Sequence, residues 1–396
     1  MTGAEAPYRL GRKERRGTVL GARPGQVVTL VLGVAALVAG VSTGGVPGVA
    51  AGVAALAACI GVATVPWRGR GLDEWAVVAA MFWATSRRGA LCAAAAVMPA
   101  VDGGTVALCW PDGTASCFAR LSHRGLRALA DEPRATGDAI ARWLRSLSRP
   151  DAPRWSVSLL AVSGPGAPAR DAPWASAGVC VRSYVAVSAA RPVDVVTALR
   201  EAGVAGPAEV DDAELAALLS ARVAPAAGDL LGTDLRSRWG MLEGPRSVHA
   251  AYVIEEWPTG DVDEQLLAPL SISSDRRTLC VTLRVEELRR SRARTARLRT
   301  SAAADHDLAL GGGFLASPEA ALAAARDAER AAELAAGHGS VRMIAAVGLD
   351  AEDPLGLEAA AARLEADAAR CGVRLRRCDG DHRRGLLATV PGWCVP

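Results

Sequence analysis

The residues that could do chemistry are few and widely scattered. Carboxylates come close together at Asp211 and Asp212, and again at Asp350, Glu352 and Asp353. They suit helix N-terminal caps before they suit acid/base pairs, because a short oxygen acceptor there meets free backbone N–H groups. Asp261-Val262-Asp263 and Asp379-Gly380-Asp381 spell the D-x-D triplet with which a membrane-bound glycosyltransferase holds a divalent metal and a sugar nucleotide, but neither has the required strand-end setting. His249 alternates with Val248 and Ala250 in a strand-like pattern, which puts one ring face against a core and makes it structural. The five histidines show neither H-E-x-x-H nor mixed Cys/His ligand spacing. Nine cysteines form no C-x-x-C pair and leave an odd count, the pattern of reduced core thiols.

Phosphate chemistry fares no better. Lys13 is the only lysine, so no G-x-x-x-x-G-K-[ST] loop exists and a P-loop ATPase is excluded. A glycine-rich phosphate cradle needs a strand before it and a helix after it. Gly164 and Gly166 are followed by prolines, and Gly311-Gly312-Gly313 follows a helical pattern, so both read as turns. No G-x-S-x-G nucleophile turn is read either. Arg289, Arg290, Arg292, Arg294, Arg297 and Arg299 crowd one predicted helix. They suit a docking face for an acidic partner or lipid headgroups, or a solvated helix in a chain whose cations are almost all arginine. The sequence therefore predicts no catalytic residue, no cofactor and no metal site, and a protein that is not an enzyme.

What positions everything else is a charge-free run from Pro24 to Trp67, bracketed by Arg23 and by Arg68 with Arg70. About twenty apolar residues cross a hydrocarbon core, so this run accommodates two crossings, near 25–42 and 48–66, broken at Ser42–Gly48. Built from Val, Ala and Gly, each span inserts weakly alone and better as a pair. Gly48 with Gly52, and Ala51 with Ala55, allow close helix approach. Arg9, Arg12, Lys13, Arg15, Arg16 and Arg23 before the run, and Arg68, Arg70, Arg87 and Arg88 after it, predict that both ends face the cytoplasm. A cleaved signal peptide and a buried helix pair in a soluble protein are the competing readings.

The remaining chain divides into a basic juxtamembrane arm (1–23), the hairpin (24–67), an interfacial helix and connector (68–101), and two cytosolic units (102–240 and 246–396). The helix from Leu72 to Arg88 lies either at the headgroups, indoles at the interface, or as the first core helix of the next unit. In the first unit, strands Thr105–Trp110 and Ala115–Arg120 form a hairpin about Pro111-Asp112-Gly113. A helix at 134–147 follows, then strands Trp155–Val162 and Val179–Val187 flanking a loop at 163–170, and helices near 193–202 and 211–221. In the second unit the expected order is strand Ser247–Pro258, short helix Val262–Leu267, strand Arg277–Val285, helices Glu286–Asp307 and Pro318–Ala336, strand Val341–Val347, helix Pro354–Arg370, and strands Val373–Arg377 and Leu386–Val390. The fold class is α+β: a transmembrane helical hairpin followed by a cytosolic body of two ferredoxin-like or related α/β units, whose similar mixture of elements suggests a duplication although no sequence repeat is evident. A net charge of +3 gives nucleic-acid binding no support.

Several stretches carry a resemblance. Tyr8-Arg9-Leu10-Gly11, Glu14-Arg15-Arg16-Gly17, the two-span hairpin, Val65–Arg70 with Glu74-Trp75, His249–Pro258, Leu279–Val285, Gly312-Gly313-Phe314 and Thr389-Val390-Pro391-Gly392 together resemble actinobacterial two-helix membrane components of secretion systems. Two kinds stand close: EccE-like subunits of type VII systems and PrgI-like subunits of type IV-like conjugative systems. The resemblance implies a structural plasma-membrane subunit in a hetero-oligomeric translocon. Its partners would be membrane lipids, other secretion-system membrane subunits and a separate ATPase, with no direct nucleic-acid contact. It carries over no catalytic residue.

Overall fold

The structure is a computed structural model that describes residues 24–67, 70–86, 96–99, 106–110, 113–121, 143, 156–165, 179–190, 192–204, 206–211, 214–215, 218, 235–244, 247–258, 266–286, 288–311, 318–336 and 340–390. The expected basic arm, most of the helix at 134–147, Asp261–Asp263 and Gly312–Gly313 lie outside these residues. The chain forms two compact units, one of 14–87 with 288–338 and the other of the remaining residues.

In the first of these units, α1 (Pro24–Ser42) and α2 (Val46–Thr64) form an antiparallel pair. Gly44 and Gly45 make the turn with φ of 72° and 84°, a left-handed conformation that costs glycine nothing. Pro47 then opens α2 in its first turn, where its missing N–H is no loss. After a two-residue strand pair, β1 (Pro66–Trp67) with β2 (Arg70–Gly71), comes α3 (Leu72–Ser86), with Asp73 and Glu74 in its first turn.

The second unit is built on one antiparallel sheet. Its strands are β3 (Ala96–Pro99), β4 (Val106–Cys109), β5 (Ala115–Leu121), β6 (Ser156–Pro165), β7 (Val179–Ala189), β8 (Pro207–Glu209), β9 (Arg236–Ser237), β10 (Leu242–Glu243), β11 (Val248–Glu256), β12 (Arg276–Glu286), β13 (Ser340–Ala351) and β14 (Arg374–Arg377). Its helices among the described residues include α4 (Val195–Glu201), the short α5 (Ala268–Ser271), α8 (Pro354–Arg370) and α9 (His382–Leu387). Between β12 and β13 the chain passes through α6 (Leu288–Gly311) and α7 (Pro318–Ala335), which belong to the other unit.

The sheet contains the same plan twice. The strands β5 to β8 lie in the spatial order β8-β5-β7-β6, and β11 to β14 in the order β14-β11-β13-β12, every neighbour antiparallel. In each copy the outer edge of the first strand takes two partners: β4 and β8 on β5, β10 and β14 on β11. The copies join where β6 pairs with β12, from Ser156 opposite Arg284 to Ser163 opposite Arg277. One face is covered by α4 in the first copy and α8 in the second, burying Val185, Val187 and Leu199, then Val347, Leu349, Leu357 and Leu364. On the opposite face Leu215 and Leu218 follow β8, and Leu386 and Leu387 of α9 follow β14.

Three local expectations are corrected, and a fourth lies mostly outside the described residues. Ser163–Pro165 continue β6, paired with Val179–Val181, because β7 gives their backbone groups partners. A short helix lies at Ala268–Ser271, with Pro269 in its first turn, while most of the expected helix Val262–Leu267 lies outside the described residues. Leu386–Val390 is not a strand: α9 covers Leu386 and Leu387, the rest is turn, and Gly385 allows α9 to settle on Ala251. Asp350 is a β13 residue and not a cap.

Candidate functional site

Among the described residues, exposed large apolar side chains concentrate on the outer surface of the α1–α2 pair. Within it, Val28, Val31, Leu32, Val34, Val38 and Val41 on α1, and Val46, Val49, Val53, Ile60 and Val62 on α2, are all exposed. Such a surface in water would be a large apolar patch needing a partner. Both helices are long and apolar enough to cross a membrane. Their seam is made by absent side chains: a Cβ on Gly40 would stand 2.4 Å from the Gly48 carbonyl oxygen, and one on Gly52 2.9 Å from the Leu37 Cα. One on Gly33 would lie 2.8 Å from the Cys59 Cβ. Gly48 and Gly52 thus act as the spacing suggests, and Gly40 completes the contact. Spacing alone points to it, since Gly40 stands two helical turns from Gly33.

Polar side chains on the pair bond to its own backbone, which leaves few hydrogen-bonding groups unpaired on its surface. The hydroxyls of Thr29, Ser42 and Thr64 donate to carbonyls four residues earlier, and that of Thr43 to Gly40. Gln26 Nε2 donates to the Ala63 carbonyl at 2.6 Å, tying the end opposite the turn. Gly40-Val41-Ser42-Thr43-Gly44 does spell G-x-S-x-G, contrary to the sequence reading. Ser42 nonetheless ends a helix, and its Oγ is 2.8 Å from the Val38 carbonyl, so it is no nucleophile turn. In α3 the Asp73 carboxylate approaches the first turn of α1, where a Cβ on Gly25 would stand 2.4 Å from Oδ2 and the helix dipole favours a negative charge. Trp75 is buried and Trp83 exposed, and α3 groups with the α1–α2 pair, not with the sheet unit.

Three polar clusters lie in the sheet unit. His249 Nδ1 is 2.5 Å from Asp350 Oδ1 across the β11–β13 pair, and Nε2 is 3.1 Å from Ser247 Oγ. This is the connectivity of a Ser-His-Asp triad. His249 is only 3 % exposed, however, and Ser247 sits in the tight β10–β11 turn, where the Gly244 N–H donates to its carbonyl, so the chain acts as a clamp between strands. The second cluster centres on Arg277, whose guanidinium bonds Asp275 and Asp367; Arg363 and Arg370 grip the same two carboxylates. The Arg363 contact, with Arg277 behind it, holds the Asp275 carboxyl below its usual range. The third gathers Asp379, 3.6 Å from Arg377 and 3.8 Å from His382.

Asp353 caps α8 by accepting from the Gly356 N–H, and Asp211 accepts from the Glu214 N–H, both as cap chemistry predicts. Gly164 lies within β6 and Gly311 ends α6. Asp379 and Asp381 flank the turn into α9, with Asp381 at its N-cap position. Among the described residues no group of three His, Cys, Asp or Glu is placed to hold a metal. Sequence spacing could not have found the Arg277 cluster, because its members come from a strand and a helix 90 residues apart. Comparison with protein-family models gives no match, and comparison with characterised proteins gives none.

Proposed function

We propose that this chain is a membrane-anchored, non-catalytic structural subunit of an actinobacterial secretion apparatus. In this reading α1 and α2 cross the plasma membrane as a hairpin, both termini face the cytoplasm, and the sheet unit is a cytosolic body that scaffolds neighbouring membrane subunits and a separate ATPase. The observation that carries the anchor is the exposed apolar surface of a glycine-seamed helix pair whose Gln26, Thr29, Ser42, Thr43 and Thr64 side chains bond to the pair's own backbone. The strand order 4-1-3-2, found twice, supports reading each half of the body as a ferredoxin-like unit. The assignment to secretion rests on the sequence resemblance described above, with the type VII, EccE-like kind preferred over the PrgI-like kind.

The test is affinity purification of the full-length chain from membranes cross-linked before solubilisation. Co-recovery of an ATPase with further membrane subunits is expected. Recovery of the chain alone, as a monomer, contradicts the scaffold role. An FtsK-like ATPase among the partners distinguishes the type VII kind from a conjugative one, which would bring a VirB-like ATPase.

A further inference from the structure

The two copies of the sheet plan differ most in one connection. In the first copy the chain between β6 and β7 occupies residues 166–178; in the second, the equivalent connection between β12 and β13 runs from 287 to 339 and holds α6 and α7. The added hairpin is also where the arginines concentrate. From residue 288 to 304, α6 carries Arg289, Arg290, Arg292, Arg294, Arg297 and Arg299 and no carboxylate. Ser291 and Thr295 are its buried positions, and Arg292 donates from Nε and Nη2 to the Leu334 carbonyl at 3.0 and 2.7 Å, so α7 covers one side of α6. Arg289, Arg290, Arg297 and Arg299 are exposed, interleaved with exposed Ala293, Ala296, Thr300 and Ala303.

We infer that this arginine face binds anionic phospholipid headgroups at the surface of the bilayer that holds the anchor. The inference rests on the membrane reading of α1 and α2. Guanidinium groups grip phosphate oxygens in pairs, so a row of arginines suits a phosphate-rich plane. The exposed positions among these arginines are alanine and threonine, with Leu298 half-buried on the other side of the helix, so the face presents no exposed aromatic or large aliphatic anchor of the kind that carries most protein–protein contacts. Attachment through the hairpin makes the encounter with lipid intramolecular, so modest electrostatic contacts suffice.

The full-length chain is placed in nanodiscs of phosphatidylcholine alone or with one-third phosphatidylglycerol, and arginine modification by phenylglyoxal is followed residue by residue with mass spectrometry. Anionic lipid should slow modification of Arg289, Arg290, Arg297 and Arg299 about fivefold, high salt should restore it, and Arg326 on α7 should be unchanged. In Arg289→Gln/Arg297→Gln/Arg299→Gln, protection of the remaining Arg290 should vanish; Arg292 is left alone because it holds α6 to α7. Equal modification in both lipids, in chains embedded in the discs, overturns the inference while the anchor stands. Failure of the chain to enter discs at all removes the anchor and the inference together.

Discussion

Replacing Arg277 with methionine should unfold the sheet unit at a markedly lower temperature. Its side chain is 1 % exposed, with Nη2 at 3.0 Å from Asp275 Oδ2 and Nη1 at 2.5 Å from Asp367 Oδ2. The pair ties β12 to α8, so the perturbation acts where strand, helix and the short α5 meet. Removing one member of a buried charge cluster costs about 3–5 kcal/mol, because the carboxylates left behind lose their compensation. Here Asp275 keeps Arg363 and Asp367 keeps Arg370, but those side chains are 56 % and 72 % exposed and their attraction is screened by solvent. The lower end, about 3 kcal/mol, is therefore expected. For a unit of this size that lowers Tm by about 6–12 °C. Circular dichroism of the detergent-solubilised chain during heating reads the shift, and Arg277→Met/Asp367→Asn should recover part of it. If Arg277→Met melts within about 1 °C of the parent protein, the cluster does not hold the unit together.

Further predictions follow from neighbouring observations. Because the folded Asp275 carboxyl sits below its ordinary value of 3.8, its stabilisation is complete above that pH and fades as pH falls toward the folded value; Asp275→Asn should flatten the acid limb of a denaturant-midpoint-against-pH curve, and an unchanged limb would refute the assignment. Burial first, and then the Glu214 carboxylate that accepts from its hydroxyl, pushes Tyr184 up to about 12, so ultraviolet titration of Tyr184→Phe should lose an ionisation step near 12, and an unchanged curve there would refute the assignment. Gly40→Val should open the α1–α2 seam at a cost of about 1–3 kcal/mol, and Cys59, facing Gly33, should then react several-fold faster with a membrane-permeant maleimide; an unchanged rate would mean the seam is not packed. Burial also raises the Cys117 thiol, which accepts a hydrogen bond from the Val193 N–H, so iodoacetamide at mildly alkaline pH should spare it in the folded protein and modify it once denaturant is added.

Legibility in the sequence followed the range of the interactions involved. The limits of α8 were readable because Asp353 caps it, Pro354 opens it and the apolar spacing runs to Arg370, all local signals. The α1 and α2 boundaries were readable from the charge-free run and the Ser42–Gly48 break. Leu386–Val390 was misread because a short apolar run fits strand or helix equally, and the contact of Gly385 with Ala251 decides between them. The join between β6 and β12 was invisible: Leu160 and Cys280 pair across 120 residues, and nothing local marks a strand's partner. The same holds for His249 and Asp350, for which the carboxylate suggested a cap and the imidazole a core residue, while cross-strand register brings them together. The similar mixture of elements suggested a duplicated body, but the spatial order of its strands was out of reach, since the two copies show no sequence repeat.

The central claim is that α1 and α2 hold an otherwise water-facing body at a membrane. Alkaline carbonate extraction of cell membranes tests it most directly, comparing the full chain with a chain lacking residues 24–67. The full chain should remain with the membrane pellet and the shortened one should pass into the supernatant. Release of the full chain into the carbonate supernatant would contradict the account.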